Sequence, residues 1–350
     1  MLEEKSAKVE GLRRKFFWLY IIAALACILA ATVVSLALIS ANKAESKAPA
    51  GNENNSPATK APVVETSNPN EGGNTVLPPD TNTKEPTTDE KPIVIPEGAV
   101  KWVPAVGLGS GSLVLINGDH PYLAETALLE NGAQQIVNVK ENRTSDTKNL
   151  QVSANTIELR YAFVDALCQM ADGMVQGCET TRDLMVNKGF QRDTDPNASE
   201  FYSGLSAELR MIDLTQTPTR FYQLKDPDAT SVAISAWLAA NCHNYGIIQR
   251  YTAAKVTQTG VAASVAQYRY VGEVHAKYMH EMNYCLEEYL DALRAYNFNK
   301  RLAITVDEQA YELYFVKESD SAEKGIPVPK DAEYEISGNN VDGYIVLVKK

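Results

Sequence analysis

Hydrophobic residues change their spacing several times along this chain, and each spacing predicts a different element. From Phe16 to Ala41 there is no charge at all, which is the pattern of a membrane-spanning helix. Residues 42–99 carry little apolar periodicity. Order resumes near Val100. The stretch "GSLVLINGDHPY" (111–122) predicts a strand over Leu113–Ile116, closed by the turn formers Asn117, Gly118 and Asp119. In "TIELRYAFVDALCQMADGMVQGC" (156–178), Leu159, Phe163, Ala166, Leu167 and Met170 recur at helical spacing. "DLMVNKGFQR" (183–192) reads as a short strand entering a loop, and "AELRMIDL" (207–214) as another strand. "ATSVAISAWLAANCHNYG" (229–246) is helical and ends on Gly246, a suitable C′ residue. A strand "IIQRY" follows, then "QYRYVG", then one long helix over 273–295. After Lys300 the pattern turns to β: "LAITV", "YELYFV", "EYEISG" and "YIVLVK". Strands and helices mix irregularly, so the fold class is α+β, with an antiparallel sheet and flanking helices.

Charge and composition organise the N-terminal third. Residues 1–15 hold Lys5, Lys8, Arg13, Arg14 and Lys15 against Glu3, Glu4 and Glu10. The uncharged run 16–41 would extend roughly 39 Å as a helix, enough to cross a bilayer with tilt. It is longer than the apolar core of a cleaved signal peptide. Phe16, Phe17, Trp18 and Tyr20 suit an interfacial belt. The basic side is expected in the cytoplasm, which makes 16–41 a single-pass anchor of the cell membrane and places the remainder outside. Cys27 does not suit a lipoprotein site, because Ala24 stands before it and the uncharged run continues past it. Residues 42–99 hold 9 of the 16 prolines among many Asn, Thr, Ser, Glu and Lys, the composition of a disordered tether. Residues 100–300 then form the main domain and 301–350 a short C-terminal β extension. A formal net charge of -11 excludes a general nucleic-acid binder.

Outside the membrane Cys168, Cys178, Cys242 and Cys285 could pair or remain as buried thiols, and their spacing leaves both open. None of the spacings is a C-x-x-C.

Five pieces resemble one family in order and distance: "GSLVLINGDHPY", "WLAANCHNYGIIQRY", the Lys255…Thr259-Gly260 turn, "YRYVG" and "CLEEYL". They are similar to the VanY-type D-alanyl-D-alanine carboxypeptidases, zinc enzymes that trim peptidoglycan stem peptides. The resemblance spans about residues 100–299. It implies that fold, a zinc ion with three protein ligands, a water in the open position and a carboxylate base.

The family takes two ligands from a pattern close to S-x-H-x-x-G-x-A-x-D. Asp213 in "MIDL" fits the aspartate, which puts Ser206 at the histidine. The third ligand and the base come from a pattern close to E-P-W-H-F-R-Y-V-G. "SVAQYRYVG" keeps Arg269, Tyr270, Val271 and Gly272, putting Gln267 at the ligand histidine and Ser264 at the base glutamate. The arginine of the family's S-G-Y-R loop meets Gln191, with Arg192 one place on. A neutral amide is a poor zinc donor, and serine without a base beside it does not take a proton from water. The remnant cleft is therefore expected to consist of Asp213, Ser206, Gln267, Gln191, Arg192 and Arg269, without catalytic residues. Arg269 is expected to pair with a carboxylate inside the domain.

The other chemistry-bearing residues give no alternative site. His275 and His280 stand five apart on the predicted helix, about 140° from each other, and cannot share one ion. His120 falls in a turn and His243 at a helix end, where a cation suits the dipole. "GLGSGS" (107–112) lacks the lysine and helix of a phosphate loop. Glu287 and Glu288 read as a solvated helix face. The sequence thus predicts a membrane-anchored, catalytically degenerate pseudo-peptidase that holds no cofactor and binds a peptidoglycan stem peptide or a wall-synthesis protein. The alternative is an active metallo-carboxypeptidase with zinc in a rearranged site.

Overall fold

The apolar stripe of 161–178 forms the longest helix among the described residues, α1 (Tyr161–Cys178), and buries Phe163, Val164, Leu167, Met170, Ala171 and Met174. At ~1.5–3 kcal/mol for each large side chain removed from water, that face anchors the main core. The structure is a computed structural model and describes residues 100–143, 148–192 and 199–350, all within one unit, Pro86–Lys350. The predicted tail, anchor and tether lie outside the described residues. Among the described residues no helix is long and apolar enough to cross a membrane.

The strands, in chain order, are β1 (Val100–Val103), β2 (Ile136–Asn138), β3 (Leu150–Val152), β4 (Glu158–Arg160), β5 (Arg182–Lys188), β6 (Ser206–Asp213) and β7 (Arg220–Tyr222). They continue as β8 (Ile247–Tyr251), β9 (Ser264–Tyr270), β10 (Leu302–Val306), β11 (Gln309–Lys317), β12 (Ile326–Pro329), β13 (Tyr334–Gly338) and β14 (Gly343–Lys349). The main sheet has the order β3-β5-β6-β9-β8, with β7 also paired to β6. Only β3 and β5 run parallel within it. One face carries Leu184, Val186, Ala207, Leu209 and Met211 and packs on α1 and α2 (Ala229–Asn241). On the opposite face, by the two-residue alternation of a strand, Glu208 and Arg210 are half-exposed between the buried Ser206 and Ile212.

Three sequence expectations are corrected here. Leu113–Ile116 is extended and buried but belongs to no sheet; its backbone bonds instead to Ser337 and Asn339. The long helix over 273–295 is two helices, α3 (Glu273–Glu281) and α4 (Leu286–Leu293). Asn283 takes a left-handed conformation (φ 53°), and Cys285 with Glu288 forms a capping box that restarts the helix. The strands after Lys300 are also not a simple appendage. They form a second sheet, β10-β11-β14-β13, and β12 pairs with β1 from the opposite end of the described residues. Along β11 and β14, Leu313, Ile345 and Leu347 pack on α3 and α4, while Tyr314, Val316, Tyr344 and Val346 face a separate core with Ile326 and Val328. Two buried faces explain why these strands are apolar almost continuously.

Cys178, Cys242 and Cys285 are free thiols. His275, whose partner is the Tyr289 hydroxyl at 2.7 Å, is buried between α3 and α4. Burial holds its pKa down to about 4, so it is neutral in the fold. Between the usual value near 6.5 and about 4, the unfolded chain takes a proton that the folded chain refuses. Stability is therefore complete above pH ~6.5 and falls as pH drops toward ~4, by at most about 3 kcal/mol from this one group. Urea midpoints at pH 4.5 and 7.5 should differ less in His275→Gln than in the wild type. An unchanged difference would assign the acid sensitivity to other groups.

Candidate functional site

The face of the main sheet that carries Glu208 and Arg210 contains a groove where two strands part. β9 pairs with β6 only over Ser206–Glu208, and β7 takes over the same edge at Met211–Asp213. Between them β9 bends away, helped by an irregularity in its pairing with β8. The space is a groove of about 490 Å³ lined by residues that include Glu208, Arg210, Lys225 and Ser264.

Strand register decides which positions could share an ion. Gln267 lies directly opposite Glu208, so the two side chains leave the same face side by side. Asp213 does not join them. It ends the same continuous strand that Ser206 begins, and seven steps of a strand separate the two by roughly 23 Å. Ligands of one zinc ion stand within about 4 Å of each other, since each bond is about 2.0–2.3 Å. The expectation that Ser206 and Asp213 mark two ligand positions is therefore corrected. Asp213 instead caps the turn after β6. Its carboxylate accepts bonds from Thr215 Oγ1 and N, from Gln216 and from Thr181, and these hold its pKa below the usual range.

Moving the family pattern five residues toward the N-terminus satisfies both sequence and geometry. Ser199 then meets its serine, Gly204 its glycine and Glu208 its acid. Gly204 has φ 69°, and a Cβ there would lie 2.3 Å from Ile136 Cδ1, so the position demands glycine. The ligand histidine becomes Phe201, whose carbonyl accepts a bond from the Gln191 amide. Of these positions, Glu208 and Ser264 line the groove, Gln267 stands opposite Glu208, and Gln191 is joined to Phe201 through the backbone. Lys188 adds an ammonium 4.2 Å over the Phe201 ring. The signal that could have found Phe201 and Glu208 was the spacing Ser199…Gly204…Glu208.

These positions do not fit a zinc ion. Phe201 offers no donor, Gln267 only a neutral amide, and Glu208 is engaged by Asn187 Nδ2 (2.8 Å) and Arg210 (3.4 Å). No histidine or carboxylate among the described residues bonds to the Ser264 hydroxyl, which accepts from the Ala266 amide instead. Among the described residues no group of three or more His, Cys, Asp or Glu could hold a metal. Arg192 turns outward to a bidentate pair with Glu158, shortest contact 2.9 Å.

Behind the cleft lies a buried ion network. Glu200, next to Phe201, accepts from Arg250 Nε (2.9 Å), Arg269 Nη1 (2.5 Å) and Ser206 Oγ (2.8 Å). Burial alone would raise the Glu200 pKa, but Arg269 and Arg250 outweigh it and hold the carboxyl below its usual range. Arg269 also donates to the Ser112 and Val114 carbonyls, as a structural arginine does. Arg250 continues to Glu287 through two bonds, which corrects the view of Glu287 as a solvated residue. Glu288 is likewise engaged, by Lys255 and the Cys285 amide.

Only two of the four histidines come together. His243 and His280 stack at 3.6 Å, while His275 points into the core and His120 lines a separate groove with Glu287 and Arg294.

Comparison with known proteins fits this cleft to a fold. No family model matches the chain. A D-alanyl-D-alanine carboxypeptidase of Enterococcus faecium is 28% identical over 250 residues, 68% of this chain and 75% of that protein. Among solved structures, the vancomycin-resistance D,D-dipeptidase VanXYg, in complex with a D-Ala-D-Ala phosphinate analogue, superposes with a TM-score of 0.52 at 22% identity, covering 72% of this chain and 100% of that one. A VanY D,D-pentapeptidase variant in complex with Zn(II) is a looser match, with a TM-score of 0.36 and 19% identity over 51% of this chain and 98% of that one. The chain resembles the VanY-type enzymes in sequence and carries a D-alanyl-D-alanine carboxypeptidase-like domain of VanY-like fold.

Proposed function

We propose that this is a membrane-anchored cell-wall protein whose D,D-carboxypeptidase-like domain has lost zinc hydrolysis and kept a cleft for peptidoglycan stem peptides. The observation that carries the reading is the replacement of two ligand positions, by Phe201 and Gln267, together with Ser264 at the base. A zinc peptidase needs an activated water and a group to take its proton, and neither follows from these side chains. Binding asks less: the groove, its fold and its rigid back wall of Glu200, Arg250 and Arg269 are all present. The uncharged run 16–41 and the polar tether 42–99 support an anchored domain outside the cell membrane, within reach of the wall.

The test is release of D-alanine from a stem pentapeptide ending in D-Ala-D-Ala, with zinc supplied. No release above the uncatalysed background is expected from folded protein. Release abolished by a chelator would overturn the loss of catalysis and establish a metal site elsewhere.

A further inference from the structure

We infer that Lys188 supplies, as a fixed ammonium, the positive charge that zinc supplies in the peptidases of this fold, and that the cleft is a metal-independent receptor for the terminal carboxylate of a peptide. The ligand class rests on the function proposed above; the role of Lys188 rests on geometry. Lys188 is the last residue of β5 and follows a pairing irregularity that sets it opposite Glu208. Glu208 in turn lies opposite Gln267, and the Lys188 ammonium stands over Phe201. Two of the positions that would surround an ion, Phe201 and Glu208, therefore adjoin this lysine, and Gln267 lies one strand beyond Glu208.

No described carboxylate cancels its charge. Lys188 is half-buried and forms no ion pair with a described carboxylate. Glu208 is its register partner, and Asn187 and Arg210 both bond the Glu208 Oε1. The Phe201 ring holds the cation by its π face and takes none of its three N–H donors. An incoming carboxylate would accept charge-assisted bonds from them. A terminal amide, carrying no charge, would gain far less.

The test uses the full-length protein in detergent with a chelator present. Binding is measured for the D-Ala-D-Ala pentapeptide, for its C-terminal amide, and for N-acetyl-D-alanine as a minimal carboxylate. The acid should bind at least about tenfold more tightly than the amide. Lys188→Met should bring the acid down to the affinity of the amide, and Lys188→Arg should restore most of the difference. Acid binding that requires zinc, or that Lys188→Met leaves unchanged in a folded protein, would overturn the inference. If the pentapeptide fails to bind while N-acetyl-D-alanine binds through Lys188, the stem-peptide reading falls and the carboxylate site stands. If neither acid binds, the carboxylate site falls as well.

Discussion

Replacing Glu200 by alanine lowers the stability of the domain by about 3–5 kcal/mol, the largest loss expected from any single polar residue here. Glu200 is 3% exposed and stands between two guanidinium groups that are both buried. Its removal leaves Arg269 with backbone carbonyls alone and Arg250 with only Glu287. Two like charges then face each other in a medium that solvates neither. Urea unfolding measures the loss. The double variant Glu200→Ala with Arg269→Met should be less damaging than the two single changes together, because the second change removes an uncompensated charge. A loss below about 1 kcal/mol would mean that water reaches the network and that it is no rigid back wall. Because Glu200 adjoins Phe201, peptide affinity should also fall in this variant.

The second large effect is a gain. Placing histidine at 201 and 267, aspartate at 208, glutamate at 264 and serine at 188 should create a site for one zinc per chain, with a Kd of about 1 μM or tighter. The wild type should take up none above background. Keeping Lys188 in this variant should weaken zinc by at least about tenfold, since an ammonium would share the cleft with a dication. A control decides the register: histidine at 206, with Asp213 retained, should bind nothing, because the strand holds the two positions apart. Equilibrium dialysis with metal analysis reads every case. Zinc in the control and none in the rebuilt cleft would refute the pairing of β6 with β9.

The two predictions depend on opposite kinds of information. Arg269 was legible as a structural arginine from "YRYVG", yet its partner was not. Glu200 lies 69 positions away and no local pattern marks it. The third ligand and base positions were also legible, because "RYVG" fixes Gln267 and Ser264 by counting. The acid position was misplaced by five residues. Asp213 matches the residue type, whereas Glu208 matches the place. Five is odd, so that slip also exchanges the two faces of β6, setting Asp213 on the side of Ala207, Leu209 and Met211.

The sequence by itself determined the α+β class, the family resemblance and most of the helices and strands between residues 161 and 251. Each of these is written in local spacing or in a short contiguous motif. Only the tertiary structure decided that Glu208 meets Gln267, that Lys188 meets Phe201, that the helix over 273–295 breaks at Asn283, and that β1 joins β12. A strand's period of two tells which residues share a face but not which neighbour they oppose. That choice belongs to contacts between distant segments, where burying a sheet face and pairing buried charges select one register from several that the local pattern allows.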